Sequence, residues 1–171
     1  KSGGGLRIVC PDFDYMYDGY KRGDNSVLYQ IRDYGKYNTL EHEKYKILPI
    51  IDNTSIQQRL LWSFARQASI HHNRSKKPLS DSEVDKLFIN NPLDVACNEI
   101  TNRCSIDVQK DRPEEHINWY NEEKIICSLK KIGFNKIYRN RYGQSKFIEM
   151  RDASFFDCSG INRSLYVEAV K

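Results

Sequence analysis

The chain has 171 residues, of which 39% are hydrophobic and 12% aromatic, with 27 basic and 23 acidic side chains for a net charge of +4. That length suits one domain with a core of its own, and a mean hydropathy of −0.71 implies a broad polar surface. The basic residues lie in short clusters, Arg74, Lys76 and Lys77 or Arg139 and Arg141, which argues against a long nucleic-acid stripe, and no apolar run reaches the roughly 20 residues that span a bilayer.

Residues 6–10, Leu-Arg-Ile-Val-Cys, follow Gly3-Gly4-Gly5 and precede Pro11. A short, mostly apolar run between turn residues predicts a strand buried on both faces. Asp12 stands at a helix N-cap, with Phe13, Met16, Tyr17 and Tyr20 on one stripe behind it and Gly23 at the end. Residues 24–53 read as irregular, with a short strand over 45–51. A single helix is expected over 54–70, with Ile56, Leu60 and Phe64 on one ridge and Leu61, Ala65 and Ala68 beside it. A polar, basic loop follows over 71–77.

Ser80 and Glu83 form a capping box for a helix that runs to Asn90. Pro92 opens another, with Leu93, Ala96 and Ile100 on one face. Asn121 caps a later helix with Glu122 and Glu123 in its first turn, Lys130 and Lys131 in its last and Gly133 beyond it. Ile125, Leu129 and Ile132 are expected to face inward. Strands follow over 135–142 and 164–170, joined by a long loop over 143–163.

The two ends of this pattern resemble the C-terminal half of a class I S-adenosylmethionine-dependent methyltransferase of the type 11-like, small-molecule or glycan-associated kind. Lys1-Ser2-Gly3-Gly4-Gly5 resembles the turn before that family's fifth strand, and Ile132-Gly133-Phe134 resembles the step that ends its last helix. His116-Ile117-Asn118-Trp119 is similar to the approach to that helix in one subgroup. The resemblance implies an α/β, partial Rossmann-like fold. Its short mixed three-stranded sheet would use strands 6–10, 135–142 and 164–170 in the order first, third, second. Residues 1–23 and 116–171 would carry the sheet and helix, and 24–115 a helical insertion capping the substrate, all in a single domain.

The resemblance further implies S-adenosylmethionine as methyl donor and a small polar acceptor, such as a sugar. The family holds the donor on a glycine-rich turn after its first strand, with an acidic residue after its second. Gly3-Gly4-Gly5 precedes a strand instead, so the main donor-binding half is expected to be absent and turnover by this chain alone to be slight or nil. The strand over 6–10 would then expose an edge that invites either a second copy or a separate N-terminal half.

Candidate chemistry follows from the same residues. His116 is the candidate base for methyl transfer, or else a helix-flanking histidine bonded to backbone. Asp12, at the carboxyl end of the first strand, is the candidate donor-binding residue as well as a cap. Asn118 and Trp119 are placed against the acceptor, Trp119 reading equally as core. Arg139, Arg141, Gln144 and Arg151, with Asp152, would hold an anionic group on the acceptor, or form a solvated hairpin with surface ion pairs. His71 and His72 are adjacent and lack a third ligand at a useful spacing, so no metal is expected.

Five cysteines, Cys10, Cys97, Cys104, Cys127 and Cys158, form no CxxC pair and are odd in number, which favours reduced thiols. With no charged-then-apolar leader, a cytoplasmic, non-membrane protein is expected. Two other functions remain open: a non-catalytic dimeric binding module on a methyltransferase-like scaffold, and a nucleic-acid binder using Lys76, Lys77, Arg139 and Arg141.

Overall fold

Alternation of apolar and polar residues at both ends of the chain builds a sheet. In a computed structural model, which describes residues 4–31, 50–157 and 161–171, β1 (Gly5–Pro11), β2 (Lys136–Asn140) and β3 (Ser164–Val170) lie in the order β1-β3-β2. Both pairings are antiparallel, Gly5 and Lys136 each opposing Val170. The order is the expected one, but the sheet is antiparallel rather than mixed. β1 and β2 run the same way yet are separated by β3, so no parallel ladder forms.

The chain divides into two compact units, Lys1–Tyr15 with Tyr120–Lys171, and Met16–Trp119. The described residues form six α-helices and one sheet, a mixed α/β architecture.

In the sheet unit, β3 is central and buried from Leu165 to Ala169. β1 is only half-buried, contrary to a strand covered on both faces, because among the described residues it has a ladder on one side alone; Val9 is 37% exposed. One sheet face carries Leu6, Ile8 and Cys10 of β1, Ile137 of β2, and Leu165, Val167 and Ala169 of β3. They pack with Ile125 and Leu129 of α6 (Glu122–Lys131). Full burial of an aliphatic side chain of this size contributes about 1.5–3 kcal/mol. α6 starts where the Asn121 side chain accepts the Lys124 amide, and the chain turns at Gly133 with φ +90°. Ile132 is 61% exposed rather than inward, because the helix ends one residue earlier.

The other sheet face lies under the β2–β3 connection. At Gly5 the connection leaves no room for a side chain: a Cβ would sit 2.1 Å from Cζ of Phe147. The strand expected to reach residue 142 stops at Asn140, and a 3-10 turn at Ile148–Arg151 interrupts the connection.

The helical unit contains most of α1 (Phe13–Arg22), which ends before Gly23 with φ +71°. It also holds α2 (Ile56–Phe64), α3 (Asp81–Asn90), α4 (Leu93–Thr101) and α5 (Ile106–Asp111). The helix expected over 54–70 ends at Phe64. Ala65 leaves helical geometry at φ −145°, ψ 60°, and a 3-10 turn follows at Arg66–Ala68. The expected apolar residues are nonetheless buried: Leu60, Leu61, Phe64, Ala65 and Ala68.

Tertiary hydrogen bonds account for the break. Gln58, 1% exposed, accepts from Ser69 Oγ at 2.9 Å and the Ile70 amide at 3.1 Å, and donates to the Leu79 carbonyl and Asp81 Oδ1. A continuous helix would carry Ser69 and Ile70 past these partners. The Ser80–Glu83 capping box forms as expected, and Pro92 precedes α4. α5 was not anticipated, for its six residues contain no fully buried side chain and carry no apolar stripe. Of the strand expected over 45–51, residues 45–49 lie outside the described residues; the Ile51 amide donates to the Ile31 carbonyl at 2.9 Å.

Candidate functional site

In the sheet unit, Asp12 follows β1 and serves as the cap of α1, its Oδ1 accepting the Tyr15 amide at 3.4 Å. Its Oδ2 accepts from Arg139 Nη2 at 3.0 Å, while Arg139 Nη1 donates to Glu122 Oε2 at 2.6 Å. Burial raises the Asp12 carboxyl above its usual range, against the opposing pull of the Tyr15 amide and Arg139. Arg139 is therefore a strut between the end of β1 and the first turn of α6, with its charge shared by two carboxylates.

A groove of about 550 Å³ opens beside it. Arg139, Asn140, Arg141, Tyr142 and Gln144 line it from β2 and the following turn, and Ile161, Asn162, Ser164 and Tyr166 from the approach to β3. Of the expected acceptor-binding residues the groove gathers Arg139, Arg141 and Gln144. Arg151 is elsewhere, its Nε donating to the Ser145 carbonyl at 2.9 Å, and Asp152 caps its own turn through Ser154. Arg141 makes no side-chain hydrogen bond or ion pair among the described residues. Asn140 Nδ2 is shielded from solvent and has no acceptor among the described residues.

Beneath the β2–β3 connection is a charged cluster that sequence reasoning missed. Arg7 Nε and Nη2 donate to Asp157 Oδ1 and Oδ2 at 3.0 and 2.6 Å, and Nη1 donates to Glu168 Oε1 at 2.7 Å. The three side chains are 4%, 0% and 0% exposed. Arg7 also donates to the Gln144 carbonyl at 2.8 Å and sits over the Tyr166 ring. The Gly143 amide binds Asp157 and the Lys146 amide binds Glu168. Burial pushes the Glu168 carboxyl up, but bonds from Ser145, the Lys146 amide and Arg7 outweigh it and hold the group below its ordinary range. This cluster fixes the turn that carries Arg141 and Gln144. The signal lay in Arg7 between Leu6 and Ile8, and Glu168 between Val167 and Ala169: a charge on the alternate face of an apolar strand.

In the helical unit, His116 Nδ1 donates to the Ser63 carbonyl at 2.8 Å, leaving the Nε2 lone pair without a partner among the described residues. Burial, reinforced by the charge of Arg66, lowers its affinity for a proton below the usual histidine value. A neutral imidazole with one nitrogen anchored and the other free is what a general base requires. Trp119 is buried, and its indole N–H donates to Asn98 Oδ1 at 2.9 Å, which is a core role. The Asn118 side chain accepts the Trp119 amide.

The expected polar loop over 71–77 conceals a second buried cluster. His72, 5% exposed, lies 2.8 Å from Glu115 through Nε2, and Arg112 Nη1 donates to the same carboxylate oxygen at 3.3 Å. The Arg74 amide donates to His72 Nδ1, so the ring proton is on Nε2 and points at Glu115. Burial raises the Glu115 carboxyl, but the His72 and Arg112 hydrogen bonds prevail and keep it below its ordinary range.

Among the described residues no group of three His, Cys, Asp or Glu side chains is placed to hold a metal ion, and no helix is long and apolar enough to cross a membrane. Comparison with family models, curated proteins and solved structures found no match to the chain.

Proposed function

We propose that these residues form the acceptor-recognition part of an S-adenosylmethionine-dependent methyltransferase with a Rossmann-like sheet. The observation that carries the reading is the strand order β1-β3-β2, with the last strand antiparallel between two strands that run alike. That is the order expected from the resemblance at the two ends of the chain. In this account the methyl donor lies beside Asp12 and the groove beside Arg141 holds the acceptor, both within the sheet unit. Among the described residues no glycine-rich turn follows a strand, so in this reading a second polypeptide or a second copy contributes to the donor site, pairing along the edge of β1 that carries no described strand.

Isothermal titration with S-adenosylhomocysteine, with solution mass measured alongside, tests the proposal. Weak but saturable binding that tightens as the chain self-associates is the expected result. A stable dimer with no affinity for the cofactor product would instead favour a non-catalytic binding module.

A further inference from the structure

We infer that the groove beside β2 binds a single oxyanion, phosphate monoester or carboxylate, carried on a hydroxyl-rich body of about monosaccharide size. As the acceptor's site it rests on the methyltransferase reading; as a binding site it stands on the groove alone.

The argument begins with charge. Among the described residues the only ionic side chains lining the groove are Arg139 and Arg141, and no described carboxylate lines it. Arg139 is already neutralised by Asp12 and Glu122. Arg7, behind the Tyr166 ring, is likewise neutralised by Asp157 and Glu168. Arg141 is therefore the one lining cation without a carboxylate among the described residues, and its guanidinium fork suits a phosphate or carboxylate. One uncompensated cation matches one anionic group.

Hydrogen-bond capacity points the same way. Asn140 Nδ2 is a solvent-shielded donor with no acceptor among the described residues, and leaving such a donor unpaired costs about 1–3 kcal/mol. A ligand oxygen reaches it only when the Asn140 side chain turns outward into the groove it lines. The remainder of the lining suits hydroxyls through the Gln144 and Asn162 amides. The volume of about 550 Å³ accommodates a monosaccharide with its anionic substituent, within the usual range for small-ligand sites. The turn holding Arg141 and Gln144 is fixed by the Arg7 cluster beneath it, so the groove exists before any ligand arrives.

The test uses the full chain, titrated with glucose 6-phosphate, glucuronate, glucose and inorganic phosphate, with backbone amide shifts at residues 139–144 as readout. The expected result is binding of one of the two anionic sugars, at least about tenfold tighter than glucose and than inorganic phosphate, as one charge-assisted contact requires. Comparison of the two sugars decides between phosphate and carboxylate. Arg141→Gln, which removes no side-chain hydrogen bond or ion pair within the described residues, should weaken that binding by roughly ten- to a hundredfold with the fold unchanged by circular dichroism. The inference is overturned if glucose binds as well as its anionic derivatives, if inorganic phosphate binds equally tightly, if Arg141→Gln leaves affinity unchanged, or if none of the probes shifts these amides at about 10 mM, the scale of weak ligands. Titration with S-adenosylhomocysteine is separate: failure there rejects the methyltransferase reading and leaves the groove result standing.

Discussion

Replacing Arg7 by Met leaves Asp157 and Glu168 facing each other without their cation, both carboxylates fully enclosed. Wild-type Arg7 makes three short charge-assisted bonds to them and a fourth to the Gln144 carbonyl. Removing one partner of a buried ion cluster costs about 3–5 kcal/mol, a large part of a typical domain's 5–15 kcal/mol. For a chain of this size that lowers Tm by roughly 6–20 °C. Urea denaturation followed by circular dichroism at pH 7 and near pH 4 measures the loss. Glu168 titrates below the ordinary carboxyl value in the folded chain, so its contribution is present above that value and disappears as pH falls through the folded one. In Arg7→Met, protonation also relieves the repulsion between the two carboxylates. The gap between wild type and variant should thus narrow toward acid. A loss under about 1 kcal/mol at pH 7, or an equal loss at both pH values, refutes the assignment of this cluster as the clamp on the β2–β3 connection.

His116 should titrate below about 6.5 by proton NMR, because burial and then Arg66 disfavour its charged form. Its contribution to stability is therefore full above that value and declines as pH drops through the folded midpoint; a midpoint at or above 6.5 would contradict the buried, Ser63-anchored ring. Glu115→Ala strands Arg112 and the His72 N–H in the helical unit and should cost about 3–5 kcal/mol in chemical denaturation, whereas a change under 1 kcal/mol would show the cluster to be solvated. A thiol reagent under native conditions should modify exposed Cys127 ahead of Cys10, Cys97 and Cys104. Burial pushes the Cys10 and Cys104 thiols up to about 11, which starves them of thiolate; peptide mapping in which Cys10 or Cys104 labels first would contradict this.

What the sequence revealed and what it withheld follow from the range of the forces involved. The α6 signals, Asn121, the acidic first turn and Gly133, are local, and the helix forms between them. So does the capping box that opens α3. The break at Ala65 is not local: it depends on Gln58 meeting Ser69, Ile70, Leu79 and Asp81, and helical periodicity alone carries no sign of it. β1 reads as doubly buried because its composition is apolar, but composition does not reveal an edge position. Among candidate site residues, Arg139, Arg141 and Gln144 do share one groove. Arg151 is diverted to the Ser145 carbonyl, and Arg139 is occupied by Glu122, 17 residues away, and by Asp12, 127 residues away. Long-range ion pairs decide which arginine remains available, and pairwise partners across more than a hundred residues are not legible from spacing.

The central claim, that the end of β1 lies beside a methyl donor, is tested most directly by a residue-resolved NMR titration of the chain with S-adenosylhomocysteine. The account predicts amide shifts concentrated at Cys10, Asp12 and Phe13, the carboxyl end of β1 and the first residue of α1. Saturating additions that leave these amides unmoved, or shifts confined to other parts of the chain, would contradict it.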